Sequence, residues 1–96
     1  MLLHTLNCAA DSDAFRDCLR TAAAEDTIVL LGDGVYQALP GSAARRALDA
    51  NPARIVALDT DTEAAGLAGR LDGLALVDMD GLVALSEAYP RQIAWF

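Results

Sequence analysis

The chain has no lysine, and its seven basic residues are all arginine, scattered except for the pair Arg45-Arg46. Against 14 acidic residues this leaves a formal net charge of -7. Direct binding of nucleic acid needs a cationic footprint to release counterions from phosphates, and no such footprint is present. A role in a nucleic-acid pathway would have to run through protein partners. The absence of lysine also removes the usual partner of a transferred phosphate, and there is no glycine-rich phosphate loop. The turn after the first apolar run, "NCAADSD" (Asn7 to Asp13), has no glycine, so the backbone cannot approach a pyrophosphate closely.

Histidine occurs once, at His4, and cysteine twice, at Cys8 and Cys18. One imidazole and two separated thiols make no recognisable zinc set. Two cysteines are too few for a disulfide framework, and their spacing is not a CxxC. Pairing across those ten positions would need Cys18 to face back toward the loop. The sequence points instead to reduced thiols in a cytoplasmic protein. The longest compact apolar run, "IVLL" (Ile28 to Leu31), is far too short to span a bilayer. The N-terminus "MLLHTLN" lacks the basic region of a signal peptide. No cofactor is expected.

What is abundant is small apolar surface. Hydrophobic residues make up 54% of the chain, much of it alanine, and mean hydropathy is +0.28. A single domain of 96 residues has a modest core. The helical stretches are weakly polar on their outer faces, so part of that surface is expected to lie under a partner subunit.

Short apolar runs alternate with helical patterns. Leu2 to Leu6 reads as a strand. Asp11 or Ser12 can cap the next helix, whose inner stripe is Phe15, Cys18, Leu19, Ala22 and Ala23. Thr27 to Leu31 is the strongest strand, apolar without alternation and therefore expected to be covered on both faces. Asp33 to Leu39 turns into a short helical piece, and Ser42 caps a helix reaching Asp49. Arg54 to Leu58 is a third strand. Asp59 or Thr60 can cap the helix after it, which Gly66 ends. Leu74 to Val77 and Gln92 to Phe96 are the remaining strands, with a helix over Asp78 to Tyr89 between them. The order implies an α/β fold: one three-layer domain over residues 1–96, with a mainly parallel sheet flanked by helices.

Asp33, Asp59, Asp78 and Asp80 fall just beyond strand C-termini, where open α/β sheets bind ligands. They could hold a magnesium ion, but such aspartates are also ordinary turn and cap residues. "DMDG" (Asp78 to Gly81) resembles the start of a calcium loop and lacks its later oxygen ligands. His4 reads as a packed, hydrogen-bonded ring. Of the thiols, Cys8 follows a strand and is the more accessible by position, whereas Cys18 sits on a helix's apolar stripe, where cysteine is usually inert.

Four segments together resemble the TusB/DsrH family of sulfur-relay subunits: "LHTLN", "LLGDGVYQAL", "DTDTEAAGL" and "LVDMDGLVALSEAYPRQIAWF". The likeness runs in order from Leu3 to Phe96. It implies a compact α/β subunit that joins TusC/DsrF-like and TusD/DsrE-like homologues in a dimer of heterotrimers. In the Tus branch such complexes pass persulfide sulfur between carrier proteins toward 2-thiouridine at the tRNA wobble position. In the Dsr branch they serve dissimilatory sulfur oxidation. The principal transferring cysteine belongs to the TusD/DsrE-like partner. His4, Thr5 and Asn7 match the opening signature, and Asp33, Gly34, Val35 and Tyr36 match the segment after the second strand, where turn and interface roles are expected. Cys18 matches the helix cysteine of DsrH-like members, after a loop one residue shorter than theirs, and becomes the candidate sulfur acceptor. Cys8 stands where the family commonly has lysine, in a turn that also loses its proline.

Overall fold

The computed structural model describes residues 1–96 as one domain of 32 × 28 × 22 Å. Its strands are β1 (Leu2–Leu6), β2 (Thr27–Leu30), β3 (Arg54–Leu58), β4 (Ala75–Val77) and β5 (Arg91–Trp95). The helices are α1 (Asp13–Thr21), α2 (Ala43–Asp49), α3 (Asp59–Ala64) and α4 (Met79–Ala88), with a 3-10 segment over Gly32–Ala38. The sheet is parallel throughout, in the order β4-β3-β2-β1-β5. It is thus wholly rather than mainly parallel.

Three successive crossovers carry the chain from β1 outward to β4. The fourth, through α4, returns across the sheet to place β5 beside β1. Right-handed connections then put α4 on the opposite face from the earlier helices. The packing agrees. Leu6, Ile28, Leu30 and Ala57 join Phe15, Cys18, Val35 and Leu48 in a 14-residue apolar cluster on one face. Leu3, Val29 and Val56, which alternate with them along the strands, meet Leu82, Leu85 and Tyr89 of α4 on the other. All four residues of β2 are buried, as a strand covered on both sides must be. Burying each such Leu, Ile or Val contributes about 1.5–3 kcal/mol.

The two faces are unequally covered. No residue of α4 is fully buried, and Leu76, Met79 and Val83 stand about half exposed on β4 and α4.

Local sequence explains most element ends. The Ser12 and Ser42 hydroxyls accept from the amides of Phe15 and Arg45, capping α1 and α2. Asp78 caps α4 by accepting from the Gly81 amide. Gly66, at φ +76°, ends α3, and the next amide, Leu67, closes back on the Thr62 carbonyl. The short helical piece expected after β2 is present, as a 3-10 segment over Gly32–Ala38. Two expectations need correction. Neither Asp59 nor Thr60 caps α3, because the helix begins at Asp59 itself with Leu58 in the cap position. β5 begins at Arg91, one residue before the expected Gln92, because Arg91 pairs with Leu2 of β1.

Candidate functional site

The C-terminal ends of β1, β2 and β5 meet at Asn7. Its amide donates to the Trp95 carbonyl at 2.9 Å, and its side-chain Oδ1 accepts from the Asp33 amide at 3.2 Å. Gly32 and Gly34 allow this approach. A Cβ on Gly34 would stand 2.0 Å from the Leu6 carbonyl oxygen, so no larger residue fits without moving β1. Asp61 of α3 accepts from the Gly32 amide at 2.8 Å and ties the same turn to the third crossover. Gly32, Asp33, Tyr36, Asp61, Ala64 and Ala65 line a shallow depression of about 170 Å³, with Tyr36 roughly half exposed at its rim. Asp59 lies nearby in sequence with its Oδ1 buried and unpartnered. Asp33, Asp59, Asp78 and Asp80 do not converge, and nowhere do three His, Cys, Asp or Glu side chains approach as metal ligands would.

Both cysteines lie in the large apolar cluster. Cys18 is fully enclosed on the inner stripe of α1, while Cys8, just after β1, is 9% exposed. Burial, reinforced by the neighbouring Cys8, pushes the Cys18 thiol up to about 12. At neutral pH almost none of it is the thiolate that attacks sulfur. Above Cys8 sits Gln37, 2% exposed, whose Nε2 donates to the Cys8 carbonyl and lies 3.8 Å from the Cys8 sulfur. Gln37 Oε1 is buried without a partner.

His4 belongs to a separate, sealed network. Its Nε2–H donates to Asp26 Oδ2 at 2.9 Å, and its Nδ1 accepts from the Trp95 indole N–H at 3.0 Å. Those partners require the neutral Nε2–H tautomer. Asp26 also accepts from the Leu2 and Ala23 amides at 2.8 and 2.9 Å. Burial alone would raise the Asp26 carboxyl, but the His4 hydrogen bond and these two amides outweigh it and hold the group at about 2. His4 and Asp26 are 0% and 3% exposed, so no substrate reaches them, and the network is a structural tie between β1, β2 and β5.

Sequence reasoning singled out neither Gln37 nor Asp26 nor Asp61. Each makes its contact with a residue more than 20 positions away, and no local pattern announces that. Arg45 is likewise buried, donating to the carbonyls of Ala38 and Asp72, each at 2.6 Å.

Together, the wholly parallel five-stranded sheet, the thiol enclosed on α1 and the thinly covered second face define a small α/β domain. Comparison with known proteins narrows this. The family profile described as "DsrH like protein" matches residues 8–92, and the chain belongs to that family. It is 37% identical over 95 residues to Protein TusB of Sodalis glossinidius, a match spanning 98% of this chain and all of that one. It is equally similar to Protein TusB of Salmonella enteritidis. Among solved structures, Tm0979 from Thermotoga maritima superposes with a TM-score of 0.70 at 27% identity, over 92% of this chain and 93% of that one. The ychN protein from E. coli shares the fold, with a TM-score of 0.78 at 15% identity over 98% and 97% of the two chains. No helix is long and apolar enough to cross a membrane.

Proposed function

We propose that this chain is an accessory subunit of a heteromeric cytoplasmic sulfur-relay complex that supports persulfide transfer toward 2-thiolation of the tRNA wobble uridine. Full-length similarity to TusB proteins supports the pathway. The enclosure of Cys18, with its thiol held protonated, carries the accessory role, because a relay component whose thiol is closed assists rather than delivers. The partners are TusC/DsrF-like and TusD/DsrE-like homologues in a dimer of heterotrimers, the latter bearing the principal transferring cysteine. The exposed Leu76, Met79 and Val83 supply apolar surface for such contacts. Where sulfur is loaded here, the Cys18 thiolate attacks the outer sulfur of a donor R–S–SH. Cys18–S–SH forms, the donor's S–S bond breaks, and R–S⁻ leaves and takes up the proton that Cys18 gave up. This step requires α1 to open.

A second reading is favoured by Cys18 itself, since the helix cysteine is a DsrH-like feature: service in dissimilatory sulfur oxidation. The test is to assemble the complex with both homologues, add a persulfide donor and read intact masses. The accessory reading expects added sulfur on the TusD/DsrE-like partner and none on this chain, with loss of tRNA 2-thiouridine when this chain is deleted. Stable sulfur on Cys18 of the assembled complex would overturn the accessory role. A chain that stays monomeric beside both homologues would overturn the complex.

A further inference from the structure

β5 ends the sheet beyond β1, and its outer edge has no neighbouring strand. The Trp95 carbonyl faces β1, where it accepts from the Asn7 amide. Backbone groups alternate in direction along a strand. Trp95, Ile93 and Arg91 therefore turn theirs toward β1. Gln92 and Ala94 turn an N–H and a C=O each outward, and both residues are exposed. Sheets blunt such edges with lysine, proline, bulges or inward charges. Here the strand has no lysine or proline, and its register with β1 runs unbroken from Arg91 to Trp95.

The edge is complementary to itself. A second β5 laid antiparallel about a two-fold axis at Ile93 brings Gln92 opposite the second copy's Ala94, and Ala94 opposite its Gln92. Residues in such positions exchange both of their hydrogen bonds, so every outward group finds a partner. Ile93 meets Ile93, and Arg91 meets the second copy's Trp95, at the close positions where side chains touch. Those three residues share the face that carries Leu6. Beside them, Asp17, Arg20, Thr21 and Trp95 line an open depression of about 420 Å³. Asp17 holds Arg20 only at 3.7 Å, so its carboxylate can also take an incoming guanidinium beside the indole. β5 has no acidic residue, so two copies of a chain with net charge -7 meet here without opposed carboxylates.

We propose that the free edge of β5 is a self-association site, where a second copy of this chain pairs antiparallel and continues the sheet. Backbone register, the Arg91–Trp95 pairing and the depression beside it all match the same sequence on the other side of a two-fold axis. The site needs only this chain, so it stands or falls separately from the relay reading.

The test is sedimentation of the full-length chain from about 1 μM to 1 mM, the affinity range of a small interface. A monomer–dimer equilibrium is expected, with slowed hydrogen exchange at the Gln92 and Ala94 amides in the dimer. Ala94→Pro removes an N–H that points away from β1, at an edge position where proline is tolerated. It should leave monomer at every concentration. Arg91→Glu should weaken the dimer about tenfold or more, because both pairings with Trp95 are lost. Val83→Glu, on the exposed side of α4, should leave the dimer unchanged. A chain that is monomeric throughout would overturn the proposal. So would a dimer that keeps its strength in Ala94→Pro or Arg91→Glu, or one that Val83→Glu abolishes. Edge amides protected only after a TusC/DsrF-like or TusD/DsrE-like homologue is added would assign the edge to another chain and also overturn it. Amide protection in the wild-type dimer decides the matter even if a variant folds poorly.

Discussion

The indole N–H of Trp95 donates to His4 Nδ1 at 3.0 Å, joining the last strand to the first across 91 positions of sequence. The two rings lie side by side, with centroids 6.2 Å apart and planes 23° from parallel. β5 is an edge strand that has only β1 beside it, so this bond and its continuation into Asp26 fix the return of the chain.

Trp95→Phe keeps most of the ring and removes the donor. It leaves His4 Nδ1 a buried acceptor without a partner, which costs about 1–3 kcal/mol. Urea denaturation should show that loss, and amide exchange should accelerate along Arg91 to Trp95 first. A change below about 0.5 kcal/mol would show that the hydrogen bond contributes little.

Asp26 makes the fold acid-sensitive in a defined window. Its carboxyl is held at about 2 in the folded chain against 3.8 unfolded. Below the unfolded value the unfolded chain binds a proton that the folded chain refuses. The contribution is therefore present above about pH 4 and lost as pH falls through about 2. It amounts to about 2 kcal/mol. Asp26→Asn should lower stability at neutral pH and flatten this acid limb. An unchanged slope between the two values would refute the assignment.

Cys18 produces the opposite limb. Its thiol stays protonated to about 12 when folded and to 9.0 when unfolded. Above pH 9 the unfolded chain gives up a proton that the folded chain keeps, so stability should fall by about 1.4 kcal/mol per pH unit. Cys18→Ala should remove that slope, whatever it does to the intercept. Equal alkaline slopes in the two proteins would mean that the thiol is not enclosed.

Gly34→Ala drives a methyl into the Leu6 carbonyl, a backbone atom that cannot rotate away. A loss of about 3 kcal/mol is expected. Gly41→Ala is the control, because nothing lies within 4 Å of its Cβ and only the left-handed φ of +84° opposes it. That substitution should cost about 1 kcal/mol. Comparable thermal shifts for the two would contradict the close approach at Gly34.

Much of the fold is legible in the sequence because its signals are local. The unbroken apolar run from Ile28 to Leu31 announces a strand covered on both faces, although the strand itself ends at Leu30. The Ser12 and Ser42 caps mark helix starts, and Gly66 marks a helix end. The alternation of strand and helix implies a parallel sheet. Asp59 defeated the local reading, since a cap residue and a first-turn residue are both favourable places for an aspartate. The depression beside Tyr36 was legible only in part. Asp33 and Tyr36 follow β2 directly, but Asp61 arrives from the next crossover.

The sulfur pair shows the same division. Periodicity alone put Cys18 on the inner stripe of α1, and helical geometry leaves little freedom there. Position after β1 made Cys8 a loop thiol. Only the packed structure showed that both sulfurs enter one apolar cluster and that Gln37 donates to the Cys8 carbonyl. It also formed the His4–Asp26–Trp95 tie from residues scattered along the whole chain. Hydrophobic period and capping act within a few residues and can be read directly. Buried polar partnerships depend on which strands become neighbours, and the return of β5 to the side of β1 settles that.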